Sequence, residues 1–201
     1  FIIIFYPALK DILLMGQLIN RINYLLSVLS RRLVWFLPKN KTIAILDEGG
    51  SDYLIPCLGN TDYFLIKKRR NIYIKYLLKA IFFDGKLKPR DIRYFYYLRI
   101  LDQLNPVLVI TYISNCHVYW QLDKNFIKGH FLTVQNGTHY VNKPSDLTKD
   151  FDHLFLGGTP YYSNLACISK YDVDYLLKMG VDVENYYHIG SLHTSEYMAS
   201  F

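Results

Sequence analysis

The residues of this 201-residue chain best suited to chemistry stand in short polar clusters, each directly behind a β-rich run. They are Asp47-Glu48-Gly49-Gly50-Ser51, Ser114-Asn115, Gln135-Asn136-Gly137-Thr138-His139, Gly157-Gly158-Thr159 and Gly190-Ser191. Glycine at such positions lets backbone N–H groups come close to a ligand, and a helix starting behind it favours phosphate or carboxylate. In an open parallel sheet, ligands bind outside the strand C-termini, where loops of this kind converge. The same residue types also serve plain turn geometry, and Asp47 or Ser51 would equally cap the helix that follows.

The elements that must position these clusters begin at Thr42, where β-rich and helical runs start to alternate. That alternation predicts an α/β domain with a mostly parallel, Rossmann-like sheet over residues 41 to 201. Strands are expected at Ile43 to Leu46, Tyr63 to Ile66, Val107 to Thr111, Phe131 to Val134, His153 to Leu156 and Tyr187 to Ile189. Helices fit at Ser51 to Leu58, Ile74 to Phe83, Arg90 to Leu104, Val118 to Asn125 and Lys170 to Met179, the last with Gly180 as its C-cap. The glycine-bearing loops then share one sheet edge.

Residues 1 to 40 form a separate, strongly apolar segment. Lys10, Asp11, Arg21, Arg31 and Arg32 cut it into runs of about ten residues, well under the roughly 20 needed to span a bilayer. From Asp11, the spacing of Met15, Leu18, Ile22, Leu25, Leu26, Leu29 and Leu33 predicts an amphipathic helix ended by Pro38. Such a helix either packs on the following domain or anchors at an anionic membrane through Arg31, Arg32 and Trp35. Lys67-Lys68-Arg69-Arg70 is the one dense basic run and lies at a strand end. A solvated face is its ordinary meaning, with phosphate or membrane attraction next and nucleic acid last.

Hydrophobic residues make up 51% of the chain and the formal charge is +6, which favours anionic partners. No dinucleotide G-x-G-x-x-G, P-loop, G-x-S-x-G elbow or H-E-x-x-H helix occurs, so dehydrogenase, P-loop NTPase, hydrolase and zinc-protease readings lose weight. Cys57, Cys116 and Cys167 lie far apart, which suggests neither a disulfide framework nor a zinc knuckle and points to a reduced, cytoplasmic setting. His117, His130, His153, His188 and His193 are scattered and read as structural.

Several segments taken in order resemble a known family: Asn105-Pro106-Val107-Leu108-Val109-Ile110-Thr111 with Asn115, Val134-Gln135-Asn136-Gly137, Phe155-Leu156-Gly157-Gly158, Gly180-Val181 and His188-Ile189-Gly190-Ser191-Leu192. Together they are similar to the amino-terminal half of bacterial surface carbohydrate biosynthesis proteins. These look like transferases of the GT-B fold, related to enzymes that add Kdo, sialic acid or glycerol phosphate to surface polymers. The resemblance covers about Lys41 to Tyr197 and implies the acceptor-side domain of a glycosyltransferase, with a second nucleotide-sugar-binding domain beyond Phe201. It implies a nucleotide-sugar donor and a glycan or lipid-linked acceptor as partners, no cofactor and no metal; nucleic acid is not expected as a partner, because no RNA-binding signature accompanies the basic run. The expected location is the cytoplasm, with the first helix and Lys67 to Arg70 offering peripheral attachment at the inner face of the cytoplasmic membrane. Asp47 and Glu48 would be the catalytic carboxylates, as base or as partner of the oxocarbenium-like centre. Asn115, Gln135, Asn136 and His139 would orient sugar hydroxyls, and Gly49, Gly50, Gly137, Gly157, Gly158 and Ser191 would complete the substrate site. A non-catalytic sugar- or nucleotide-binding module and a membrane-docked interaction domain are the competing readings.

Overall fold

A computed structural model of the chain describes residues 32–67, 70–82, 89–114, 116–135, 137 and 160–191. Six strands form one wholly parallel sheet: β2 (Ile43–Ile45), β3 (Tyr63–Leu65), β5 (Leu108–Thr111), β6 (His130–Val134), β7 (Tyr161–Cys167) and β8 (Asp182–His188). Their spatial order is β3-β2-β5-β6-β7-β8. A second, two-stranded parallel sheet pairs β1 (Arg32–Val34) with β4 (Asn71–Tyr73).

Among the described residues, five helices join these strands: α1 (Ser51–Leu58), α2 (Ile74–Phe82), α3 (Pro89–Leu104), α4 (His117–Asn125) and α5 (Lys170–Lys178). Residues Ile43, Ala44 and Ile45 of β2 are all buried, the uninterrupted apolar run of a strand covered on both faces. On one face Ala44, Leu46, Val109 and Phe131 meet Tyr97, Ile100, Leu101 and Leu104 of α3 and Val118, Tyr119 and Leu122 of α4. The α3 positions are spaced i, i+3, i+4 and i+7, which is one helical stripe. Leu54 of α1 joins Ile43, Ile45, Ile110, Val134 and Ala166 in a cluster of alternate sheet positions, on the opposite face. Helix α5 ends in a Schellman motif. Gly180 takes φ 74°, its N–H bonds Leu177 O at 3.0 Å, and Val181 N–H bonds Leu176 O at 3.0 Å.

The five helices expected over the described residues fall within one residue of their observed ends. The expected first helix and last strand need correction, and strands β4 and β7 were not among those expected. Arg32, Leu33 and Val34, assigned to the first helix, form a strand instead, because β4 offers a parallel partner in the register Arg32↔Asn71, Leu33↔Ile72, Val34↔Tyr73. The rest of that helix lies outside the described residues. The fifth strand position is held by Tyr161–Cys167, while the expected strand at His153 to Leu156 lies outside the described residues. The last strand runs from Asp182 to His188, earlier and longer than Tyr187 to Ile189.

Candidate functional site

The chain leaves β2 for β3 on one side and returns to β5 on the other, so the strand order reverses at β2. Parallel sheets open a crevice at such a reversal, between the loops at the carboxyl ends of the two strands. Here those loops are 46–51 and 112–116.

Asp47 is buried, and its Oδ1 accepts the Gly49 N–H at 3.1 Å. The Tyr119 hydroxyl donates to Leu46 O at 3.3 Å and approaches Asp47 Oδ2 at 3.5 Å. Burial holds that phenol well above its usual pKa, with the neighbouring Tyr97 and Asp47 charges adding to the shift. It is therefore a neutral donor throughout the ordinary pH range. Asp47 thus shapes the loop from beneath.

Glu48 is placed differently. Its Oε2 pairs with Arg70 Nε at 3.3 Å, while Oε1 is buried with no hydrogen-bond partner among the described residues. Its backbone carbonyl accepts from Ser51 N–H at 3.2 Å and Ser51 Oγ at 2.9 Å, which closes the turn into α1. Gly50, the N-cap of α1, takes φ 75° and lies flat against the Tyr112 ring. A Cβ at Gly50 would stand 1.8 Å from Tyr112 Cδ1, so both backbone and space demand glycine.

Glu48, Gly49, Ser51 and Asp52 face Leu65, Lys67 and Arg70 across a polar cavity of about 340 Å³. Lys67 and Arg70 arrive there because the basic run directly follows β3, whose carboxyl end lies beside that of β2. Lys67 O accepts from Arg70 N–H at 3.1 Å and from Asn71 N–H at 2.8 Å. Tyr73, fully buried, lies close by; burial raises its pKa, and the Glu48 charge adds to the rise.

Gln135 is buried at the end of β6, where Nε2 donates to Gly137 O at 2.7 Å and Asp172 Oδ1 at 2.9 Å. Its Oε1 accepts Ile168 N–H at 3.2 Å. It ties β6 to the start of α5, where Ser169 caps the helix by accepting Asp172 N–H. Ser191 follows Gly190 past the end of β8, on the same edge as Asp47. Four strand spacings of about 4.8 Å separate them, roughly 19 Å. Asn115, Asn136, His139, Gly157 and Gly158 lie outside the described residues. Of the expected site, the structure therefore gathers Asp47, Glu48, Gly49 and Gly50, and adds Ser51, Lys67 and Arg70. The basic run was visible in the sequence; the signal that would have assigned it here is its start two residues beyond the end of β3, a strand adjacent to β2.

A larger opening of about 1010 Å³ lies along the sheet, lined by Leu132, Asn164, Ala166, Asn185 and Tyr187 among others. Asp123 borders it. The Asp123 carboxylate accepts the Ser163 N–H at 3.0 Å and the Ser163 hydroxyl, and burial lifts its pKa to about 6. This opening lies away from the strand reversal and its converging loops.

Among the described residues, no three His, Cys, Asp or Glu side chains converge on a metal position, and no helix is long and apolar enough to cross a membrane. No protein-family model, curated protein or solved structure matches the chain.

Proposed function

We propose that this chain is the acceptor-side domain of a nucleotide-sugar-dependent glycosyltransferase of the GT-B kind, working in bacterial surface polysaccharide synthesis. Parallel α/β sheets host many chemistries, so support must come from the site rather than the fold. The observation that carries the reading is Glu48, which lies at the strand reversal with one oxygen steadied by Arg70 and the other buried without a donor. An unfilled buried acceptor costs about 1–3 kcal/mol, and an acceptor-sugar hydroxyl is a donor that would fill it.

In this reading the hydroxyl hydrogen-bonds to Glu48 Oε1. Glu48 takes its proton as the hydroxyl oxygen bonds to the donor's anomeric carbon, and the bond from that carbon to the nucleotide phosphate breaks with its electron pair leaving on the phosphate. Asp47, buried and bonded to the Gly49 N–H, is the positioning residue that holds the loop. Lys67 and Arg70 bring positive charge to the same cavity.

The test is donor-dependent transfer by the full-length protein, screened over nucleotide sugars with glycan and lipid-linked acceptors. Transfer is expected with at least one donor, and Glu48→Gln should lower its rate by about 10²- to 10⁴-fold, the usual worth of a general base. Absence of transfer with every donor would overturn the proposal in favour of a binding module, and near-wild-type rates in Glu48→Gln would remove Glu48 as the base on which the reading rests.

A further inference from the structure

The basic run and the acidic loop after β2 were separate features of the sequence, and the fold brings them to one cavity, between the loops that follow β2 and β3. We infer that Lys67 and Arg70 form a phosphate subsite, taking a phosphate or diphosphate group of the substrate into the cavity beside Glu48. This deepens the transferase reading and rests on it for the identity of the substrate, but not for the binding itself.

The argument starts from geometry. The cavity of about 340 Å³ has Lys67 and Arg70 among its lining residues, opposite the Glu48-Gly49-Ser51-Asp52 loop. Its size exceeds what a phosphate needs and admits a diphosphate. Arg70 is 75% exposed and engages Glu48 through Nε alone, at 3.3 Å. A guanidinium has five N–H donors in a fixed fork, so the remaining edge can bind two phosphate oxygens while Nε stays on Glu48. An ammonium such as that of Lys67 adds a point charge with three movable donors. Lys67 O accepts from both Arg70 N–H and Asn71 N–H, so the backbones that carry the two cations are tied together.

The arrangement also sets a sign. Glu48 and Asp52 line the same cavity and repel an anion, and Glu48 competes for Arg70. Neutralising Glu48 should therefore strengthen phosphate binding, while neutralising either cation weakens it.

The experiment is titration of the chain with inorganic pyrophosphate, followed by calorimetry at low and at physiological salt. Uridine diphosphate and farnesyl phosphate serve as further arms, to separate a donor from a lipid-linked source. Lys67→Gln and Arg70→Gln should each bind pyrophosphate about tenfold more weakly, as loss of one charge-assisted contact implies. Glu48→Gln should bind it more tightly, and Lys178→Gln, in the last turn of α5, should bind as the wild type does. Unchanged affinity in both cation variants, weaker binding in Glu48→Gln, equal weakening by Lys178→Gln, or no pyrophosphate binding by the wild type would overturn the subsite. Failure of the transfer assay with these affinities intact would instead remove the transferase and leave the subsite standing.

Discussion

Asp47 and Glu48 are neighbours of the same chemical type, yet the fold gives them opposite environments. Asp47 points beneath its own loop and meets the Gly49 N–H, whereas Glu48 lines the cavity and faces Arg70. Asp47→Asn keeps an oxygen for the Gly49 N–H, so transfer should persist within a few-fold and the denaturation midpoint should hold. Asp47→Ala leaves that N–H unpartnered and should cost about 1–2 kcal/mol, read from urea unfolding. Loss of transfer in Asp47→Asn comparable to that in Glu48→Gln would move the reacting role back to Asp47. Residue type and a position after a strand were enough to single out this pair from sequence. Separating the two roles required knowing that Tyr119, 72 residues away, places its hydroxyl at Asp47 Oδ2. No local pattern carries that information.

At the scale of elements, the periodic segments were legible and the polar ones were not. Helix α3 announces itself through Tyr97, Ile100, Leu101 and Leu104, and α5 through its cap and Gly180. Strand β7, Tyr-Tyr-Ser-Asn-Leu-Ala-Cys, hides because side chains from elsewhere complete its hydrogen bonding. Tyr162 and Leu165, three residues apart, both join the cluster with Trp120, so strict alternation fails between them. There Ser163 bonds Asp123 of α4, and Asn164 Nδ2 donates to Phe131 O at 3.0 Å. Strand β1 was hidden for a related reason: its apolar residues continue a helical spacing, and only the tertiary pairing with β4 decides against it.

The Asp123 junction makes a pH prediction with a definite sign. Its pKa is raised from 3.8 to about 6 in the folded protein, chiefly by burial. Between those values the folded state holds more protons than the unfolded one, so this group's contribution to stability falls as pH rises through the window. Stability contributed here is greatest below about pH 3.8 and is lost by about pH 6, by at most about 3 kcal/mol. Asp123→Asn should flatten that part of the profile while Ser163 keeps a partner. Urea midpoints at pH 4.5, 5.5 and 7 for both proteins check this, and identical slopes would contradict it.

For the whole molecule, what matters is that one six-stranded parallel sheet brings separate chain segments to one edge and reverses its order at β2. The alternation of strands and helices made the parallel sheet legible; the order of strands, and with it the adjacency of β3's basic turn to β2's acidic loop, was not. The openings among the described residues include a polar one between the loops after β2 and β3 and a larger one along the sheet. The account places substrate in the first. Amide chemical-shift mapping of the isotope-labelled protein with a panel of nucleoside diphosphates and nucleotide sugars distinguishes them most directly. The account predicts saturable shifts at Gly49, Gly50, Ser51, Lys67 and Arg70 with at least one ligand of the panel. Shifts confined to Leu132, Asn164, Asn185 and Tyr187, or none with any ligand, would contradict it.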